Sequence, residues 1–206
     1  FNICNGYLKY SQLDEFIKNL EKNESSTESC PVFLYPSLKP KKVFSETAKF
    51  CNKNIFNIKR SFLSLFGFPS YGVHCNVWRK HKDKFIIYFA KRSEKLKSFP
   101  GYIDNTVAGG QPINLSILEN LKKEAYEEAG ISRKYLKKVQ RGNIVSYFHN
   151  NNNNFIWAVI FNYHLNKIDE LELKNIDGEV ESFFSLTLEN IYLSLIHISE
   201  PTRQIV

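Results

Sequence analysis

Residues 109–131 read GGQPINLSILENLKKEAYEEAGI, and no other stretch narrows the fold so far. Ser116 followed by Glu119 forms a capping box, which starts a helix at Ile117. Gly130 stands where helices commonly end in a left-handed residue. At about 100° per residue, Leu118, Leu121, Ala125 and Ala129 line up as a buried stripe. Glu124, Glu127 and Glu128 are related by i, i+3 and i+4 and share one face, bordering that stripe rather than opposing it. Like charges at this spacing repel by roughly a few tenths of a kcal/mol per pair. A solvated acidic face is the plain alternative, but such a face normally intersperses lysine and does not border the core. Hard divalent cations seek clustered carboxylate oxygens, so the pattern points to a cation site.

The flanks alternate with period two. Val73, Cys75 and Val77 alternate with His74, Asn76 and Trp78, as in a strand. Phe85 to Ala90 is a second apolar run of strand length, with His81 to Lys84 as the turn between them. Phe99-Pro100-Gly101 is a turn signal. Ile144 to Phe148 and Phe155 to Tyr163 read as a hairpin around the low-complexity run Asn150 to Asn154, and Ser182 to Leu186 as a last strand. Earlier in the chain, Tyr7 to Lys22 is amphipathic with helical spacing, Leu8, Phe16, Ile17 and Leu20 lying on one side. Pro31, Pro36 and Pro40 break any regular element, and Ser45 to Lys59 reads as a further helix. Leu63 to Ser70, with Gly67 and Pro69, marks a boundary. A small, mostly helical lobe over 1–68 is expected, then an α+β domain with a mixed sheet over 69–195.

Charge bears on the kind of partner. Lys and Arg exceed Asp and Glu by 28 to 21, giving +7. That surplus suits an anionic partner, although the lysines are scattered and the richness in Asn, Ile and Lys also fits plain compositional bias. Cys4, Cys30, Cys51 and Cys75 contain no CxxC pair, which argues against zinc, and they are too few for a disulfide framework in a chain this long. Free thiols in a reducing, cytoplasmic compartment are expected. No apolar run approaches the roughly 18 residues of a membrane span, so no membrane partner is expected.

The segment resembles the Nudix box: Gly, five residues, Glu, seven residues, then Arg-Glu-apolar-any-Glu-Glu-any-Gly-apolar. Gly109, Glu124, Ala125, Glu127, Glu128, Gly130 and Ile131 stand at the matching spacing. Lys123 replaces the Arg, and Leu115 replaces the first Glu. PGYIDNTVAGGQP ahead of the helix, GVHCN at 72–76 and DGEVESF at 177–183 are similar to the Nudix branch related to the N-terminal region of fungal thiamin pyrophosphokinase. Within that branch, Asn114 replaces a common Gly and Phe99 a Trp. The likeness covers roughly 70–190 well and the first lobe only loosely.

The resemblance implies a Nudix α/β/α sandwich and a hydrolase in which water attacks a phosphorus of a diphosphate. It implies Mg²⁺, with Mn²⁺ as the alternative, held by Glu124, Glu127 and Glu128. Lys123 would orient a neighbouring Glu, and Glu179, or Glu181 beside it, would serve as general base. Glu119 could lie at the edge of a metal site, but capping already accounts for it. Arg92, Phe99, Asp104 and Asn105, with the Gly109-Gly110 turn, are candidates for holding substrate. His74 reads as a core histidine. Thiamin diphosphate or its oxidised forms, cut to the monophosphate, is the substrate the branch implies. The alternatives are a general nucleoside or dinucleotide diphosphatase, and a non-catalytic module binding RNA or a protein partner. The absence of an interleaved aromatic and basic patch argues against nucleic acid. The chain begins at Phe1, contains no Met, and ends LSLIHISEPTRQIV without helical periodicity past Pro201. A truncated chain with a non-native, loosely held tail over 196–206 is therefore expected.

Overall fold

The computed structural model describes residues 56–151, 154–167 and 169–199, together with 29–32 and the single positions 15, 18, 19 and 22. The chain divides into two compact units: Phe1–Tyr71 with Gln111–Ile117 and Ser146–Val159, and Gly72–Gly110 with Leu118–Val145 and Ile160–Val206. Among the described residues no helix is long and apolar enough to cross a membrane.

In the first unit, strand β1 (Ser29–Val32) pairs antiparallel with β2 (Phe56–Lys59), Cys30 opposite Ile58. This corrects two expectations. Residues 56–59 are a strand, not the end of a helix, and Pro31 lies inside a strand. A two-stranded sheet has free edges on both sides, where a proline's missing N–H breaks no ladder bond. A 3₁₀ turn (Arg60–Phe62) and the short helix α1 (Leu63–Phe66) follow, closed by Gly67 at φ 66°. Cys30, Val32, Ile58 and Leu63 form the core, with Phe62, Phe66 and Phe68 packed around it. Glu15, Lys18 and Asn19 are helical, in keeping with the amphipathic reading. The rest of that helix, most of the expected helix from Ser45, Pro36, Pro40, Cys4 and Cys51 lie outside the described residues.

The main sheet contains β3 (Pro69–His81), β4 (Lys84–Arg92), β5 (Ile103–Asn105), β6 (Val107–Gly110), β7 (Gln140–Asn151), β8 (Asn154–Asn166) and β9 (Val180–Thr187). The path is β5-β4-β3-β8-β7, with β6 beside β3 and β9 beside β4. β3 and β4 pair from Val77 opposite Tyr88 to His81 opposite Lys84. Beyond that register they part: β3 continues with β6, and β4 with β5. The segment 103–110 thus wedges between the two splayed strands. Strands β7 and β8 run further into the asparagine tract than expected, reaching Asn151 and restarting at Asn154, with 152–153 outside the described residues.

Helix α2 (Ile117–Ala129) has the expected bounds. Its buried stripe is Ile117, Leu121, Ala125 and Ala129, all fully buried, while Leu118 is only half-buried. A strict i+4 row starting one residue earlier than expected faces inward. Asn120 and Glu128 are buried beside it. A single turn α3 (Arg133–Leu136) follows. Helix α4 runs from Leu188 to Ser199. The helix thus takes in the first residues of the tail expected over 196–206, and 200–206 lie outside the described residues. Pro201 disfavours helix at the residue before it, so it limits the helix's end without interrupting it.

Candidate active site

Short backbone-directed bonds fix α2 against β6. The Glu128 carboxylate accepts the Ala108 N–H at 2.7 Å, and the Asn120 amide donates to the Gly110 carbonyl at 2.8 Å. The Glu124 side chain lies across Gly109, where any Cβ would overlap it. Gly109 is therefore needed because an acid occupies the space a side chain would take. At the other end of α2, Gly130 adopts φ 66°, and its N–H closes on the Tyr126 carbonyl at 2.9 Å. The last carbonyls are met from outside: Lys174 N–H donates to Ala129, and the Ile176 and Asp177 N–H groups both donate to Glu127. These three bonds clamp the loop carrying Glu179 to the end of the acid helix.

The three helix acids have different environments. Glu128 is 5% exposed. Burial, reinforced by Glu124, Glu179 and Asp104 and opposed by the Ala108 N–H, pushes its carboxyl up to about 8. The Glu124 side chain is 14% exposed, and burial raises its pKa against the pull of Lys123. The Glu127 side chain is 40% exposed. Lys123 bridges the last two, at 3.1 Å from Glu124 and 2.8 Å from Glu127. Burial opposes the Lys123 charge, but hydrogen bonds and attraction to both acids outweigh it and hold the ammonium well above the usual lysine range.

The remaining sequence candidates divide. Glu179 is exposed just ahead of β9, and its charge reaches both Glu124 and Glu128, whereas Glu181 pairs with Lys91 at 3.0 Å. Asp104 joins the acidic group around Glu128. Arg92 does not present a free fork: one nitrogen holds Asp104 at 3.2 Å and another donates to the Ser98 carbonyl. Phe99 is 51% exposed at φ 51° on the β4–β5 loop, edge-on to Tyr102. Glu119 is exposed on the first turn of α2.

His74 is more than a core histidine. It hydrogen-bonds Asn105, and burial lowers its pKa against the Asp104 charge and that bond. Asn105 also donates to Asn76. Sequence reasoning missed Asn76, although the alternation that buries Val73, Cys75 and Val77 was itself the signal that His74 and Asn76 face the other way. Cys30 and Cys75 are buried free thiols, and burial lifts Cys75 to about 12.

Among the described residues no three acid, histidine or cysteine side chains form a closed ligand set. The donors nonetheless fit a hard cation in kind. Mg²⁺ takes one or two carboxylates and keeps several waters. The mutual repulsion felt at Glu128 is what such an ion would relieve.

No family model matches the chain. Nudix hydrolase 20, chloroplastic, of Arabidopsis thaliana is 38% identical over 128 residues, which are 62% of this chain and 34% of that protein. Nudix hydrolase 24, chloroplastic, of the same plant is 36% identical over 128 residues, 62% of this chain and 35% of that protein. The chain thus spans about a third of the length of these Nudix relatives. The crystal structure of DR0079 from Deinococcus radiodurans matches with a TM-score of 0.52 at 16% identity, over 76% of this chain and 90% of that one, a likeness of fold alone.

Proposed function

We propose that this Nudix domain hydrolyses a diphosphate linkage with Mg²⁺, or Mn²⁺ in its place, and that its substrate is thiamin diphosphate or an oxidised form, cut to the monophosphate. The observation that carries the reading is the crowding of buried Glu128 by Glu124, Glu179 and Asp104 beside the glycine cradle at 109. The thiamin assignment rests on the likeness of segments 72–76 and 177–183 to the thiamin pyrophosphokinase-related branch.

In this reading Glu124 and Glu128 hold the ion, and Glu127 joins them by exchanging its bond to Lys123. Bound Mg²⁺ supplies charge neutralisation on the phosphate oxygens and a more acidic water. Lys123 aims Glu124 and Glu127. Glu179, exposed and clamped to the helix end, takes the proton from the attacking water.

The test is Mg²⁺-dependent phosphate release across thiamin diphosphate, its oxidised derivatives, nucleoside diphosphate sugars and dinucleotides. Thiamin diphosphates should be consumed with Mg²⁺ and spared with a chelator, and Glu124→Gln and Glu128→Gln should each abolish turnover. Turnover that survives both substitutions would remove these acids from the chemistry. Preference for a dinucleotide would replace the substrate.

A further inference from the structure

The surplus positive charge is not spread evenly along the chain. Residues 129–168 contain no Asp or Glu, yet they hold Arg133, Lys134, Lys137, Lys138, Arg141 and Lys167, in a chain whose net charge is +7. The first five lie in the second unit, on α3, the turn after it and the start of β7. All five are exposed. Their platform is fixed from beneath: Ile131 and Leu136 are buried, the Tyr135 hydroxyl donates to the Glu170 carbonyl at 3.4 Å, and the Lys138 and Val139 N–H groups close on the Tyr135 and Leu136 carbonyls. Elsewhere in this unit Lys84, Lys91 and Lys123 are paired with Glu189, Glu181 and Glu127. Among the described residues no ion pair engages Arg133, Lys134, Lys137 or Lys138; the Lys134 ammonium rests over the Tyr135 ring, 4.7 Å from its centre.

Two plain roles cover only part of this strip. Cations past the end of α2 favour its negative pole by roughly 0.3–1 kcal/mol each, but that effect fades within the last turn, so it reaches Arg133 and Lys134 and not the others. Solvation is served by charges of both signs interspersed, and here one sign stands alone. Arg133 and Lys137, like Lys134 and Lys138, stand at i, i+4, where like charges repel by a few tenths of a kcal/mol. A polyanion laid along the strip relieves that repulsion.

The shape of the strip selects among polyanions. Arg133 to Lys138 is about 8 Å of helical rise, and Lys138 to Arg141 at most about 10 Å of extended chain. A line of that length faces several phosphates of a nucleic-acid strand, which succeed one another at about 3.4 Å along a duplex. A membrane surface is gripped by apolar side chains projecting among the cations, whereas Leu136 is buried and Val139 half-buried. The aromatic ring within the strip, Tyr135, is itself half-buried, which leaves phosphate rather than base as the group to be met.

We infer that Arg133, Lys134, Lys137, Lys138 and Arg141 form a docking strip for the phosphate backbone of a nucleic acid, held without reading its bases. The strip is distinct from the acids of α2: the charges acting on Glu124 and Glu128 are those of Lys123, Glu127, Glu179 and Asp104 and of Glu124 on its neighbour. Nucleic-acid binding here neither requires nor excludes diphosphate hydrolysis.

Titration of the full chain with a fluorescent oligonucleotide of about 20 nucleotides, single-stranded and as a duplex, from about 0.05 to about 0.3 M salt tests it. Affinity should fall steeply with salt, log Kd shifting by about 0.7 per unit of log salt for each phosphate met on a single strand and about 0.9 on a duplex. Lys137→Ala combined with Lys138→Ala should weaken binding about tenfold at the lowest salt and make the slope shallower by about 1.4 to 1.8. Lys95→Ala combined with Lys97→Ala removes the same charge from exposed lysines outside the strip and should change affinity less than about twofold. Melting temperatures report that each variant is folded. Equal losses in the two double variants would assign binding to net charge and overturn the strip. Failure to bind either oligonucleotide at the lowest salt would overturn it too. Tighter binding to phosphatidylserine vesicles, or to poly-glutamate, than to the oligonucleotides would replace nucleic acid with a membrane or an acidic protein.

Discussion

Thr106 sits fully buried where β3 and β4 part. Its hydroxyl accepts the Val77 N–H at 3.0 Å and donates to the Tyr88 carbonyl at 2.5 Å, so one side chain completes the ladder that the splayed strands leave open. Thr106→Val keeps the shape and strands both backbone groups; stability should fall by about 1–3 kcal/mol, read by denaturant unfolding. Nothing in the sequence marks Thr106, because its role exists only once two distant strands diverge around it. Glu128 was legible as an acid on the right face. That it is buried while Glu127 is exposed was not, since i+3 and i+4 positions differ only by the angle at which the sheet meets the helix. Burial has a measurable consequence for the metal-free protein. With its carboxyl raised to about 8, folded Glu128 binds a proton that the unfolded chain, with an ordinary carboxyl near 4.5, has already lost. The folded state holds more protons across that window, so its contribution is complete below the lower value and lost as pH rises through the upper one. The melting temperature of the chelated protein should therefore fall between pH 5 and pH 8, and Glu128→Gln should flatten the slope. A slope unchanged by the substitution would assign it to other groups.

At the scale of elements, α2 was readable to the residue because its start and stop are local chemistry: a capping box at one end, a glycine at the other. Leu121, Ala125 and Ala129 were read correctly as its inward face, and only the first member was read one residue late, Leu118 in place of Ile117, because i+3 and i+4 steps both keep a residue near the stripe. The strand at 56–59 was missed because four residues of FNIK carry no period and acquire their state from β1. Gly130 joins two elements. Its φ of 66° suits no ordinary side chain, and a Cβ there would stand 2.9 Å from the Lys174 carbonyl. Gly130→Ala should cost more than the roughly 1 kcal/mol at stake at a compatible site and should also push the Glu179 loop off the helix end. A drop in both melting temperature and turnover is expected, whereas Leu118→Ala, on the half-buried side, should affect turnover little. Equal effects of the two on turnover would separate Gly130 from the site.

Over the whole molecule, a chain of net charge +7 gathers Glu124, Glu179 and Asp104 around Glu128 of one helix. In the proposed reading, a phosphorylated substrate is drawn by the net charge and resisted at the last few ångströms until a cation intervenes. The Debye length is about 10 Å at 0.1 M salt, so the long-range part is screened first. Raising ionic strength from about 0.02 to about 0.3 M should lower kcat/KM severalfold at saturating Mg²⁺ and leave kcat nearly constant; a salt-independent kcat/KM would make the surplus charge irrelevant to the site. The clamp on the acid helix bears on how such a chain tolerates change. Its three bonds run from the main chain of Lys174, Ile176 and Asp177 to main-chain carbonyls of the helix, and none uses a side chain. Lys174 and Ile176 are thus free to vary, proline apart, whereas the Asn175 side chain bonds the Val180 carbonyl and the Gly178 N–H, the Asp177 carboxylate accepts the Glu179 N–H, and the number of residues is fixed. Non-proline substitutions at 174 and 176 should keep the proposed hydrolysis broadly, while a single inserted or deleted residue would slide Glu179 about one residue's length past Glu128 and silence that hydrolysis without unfolding the chain.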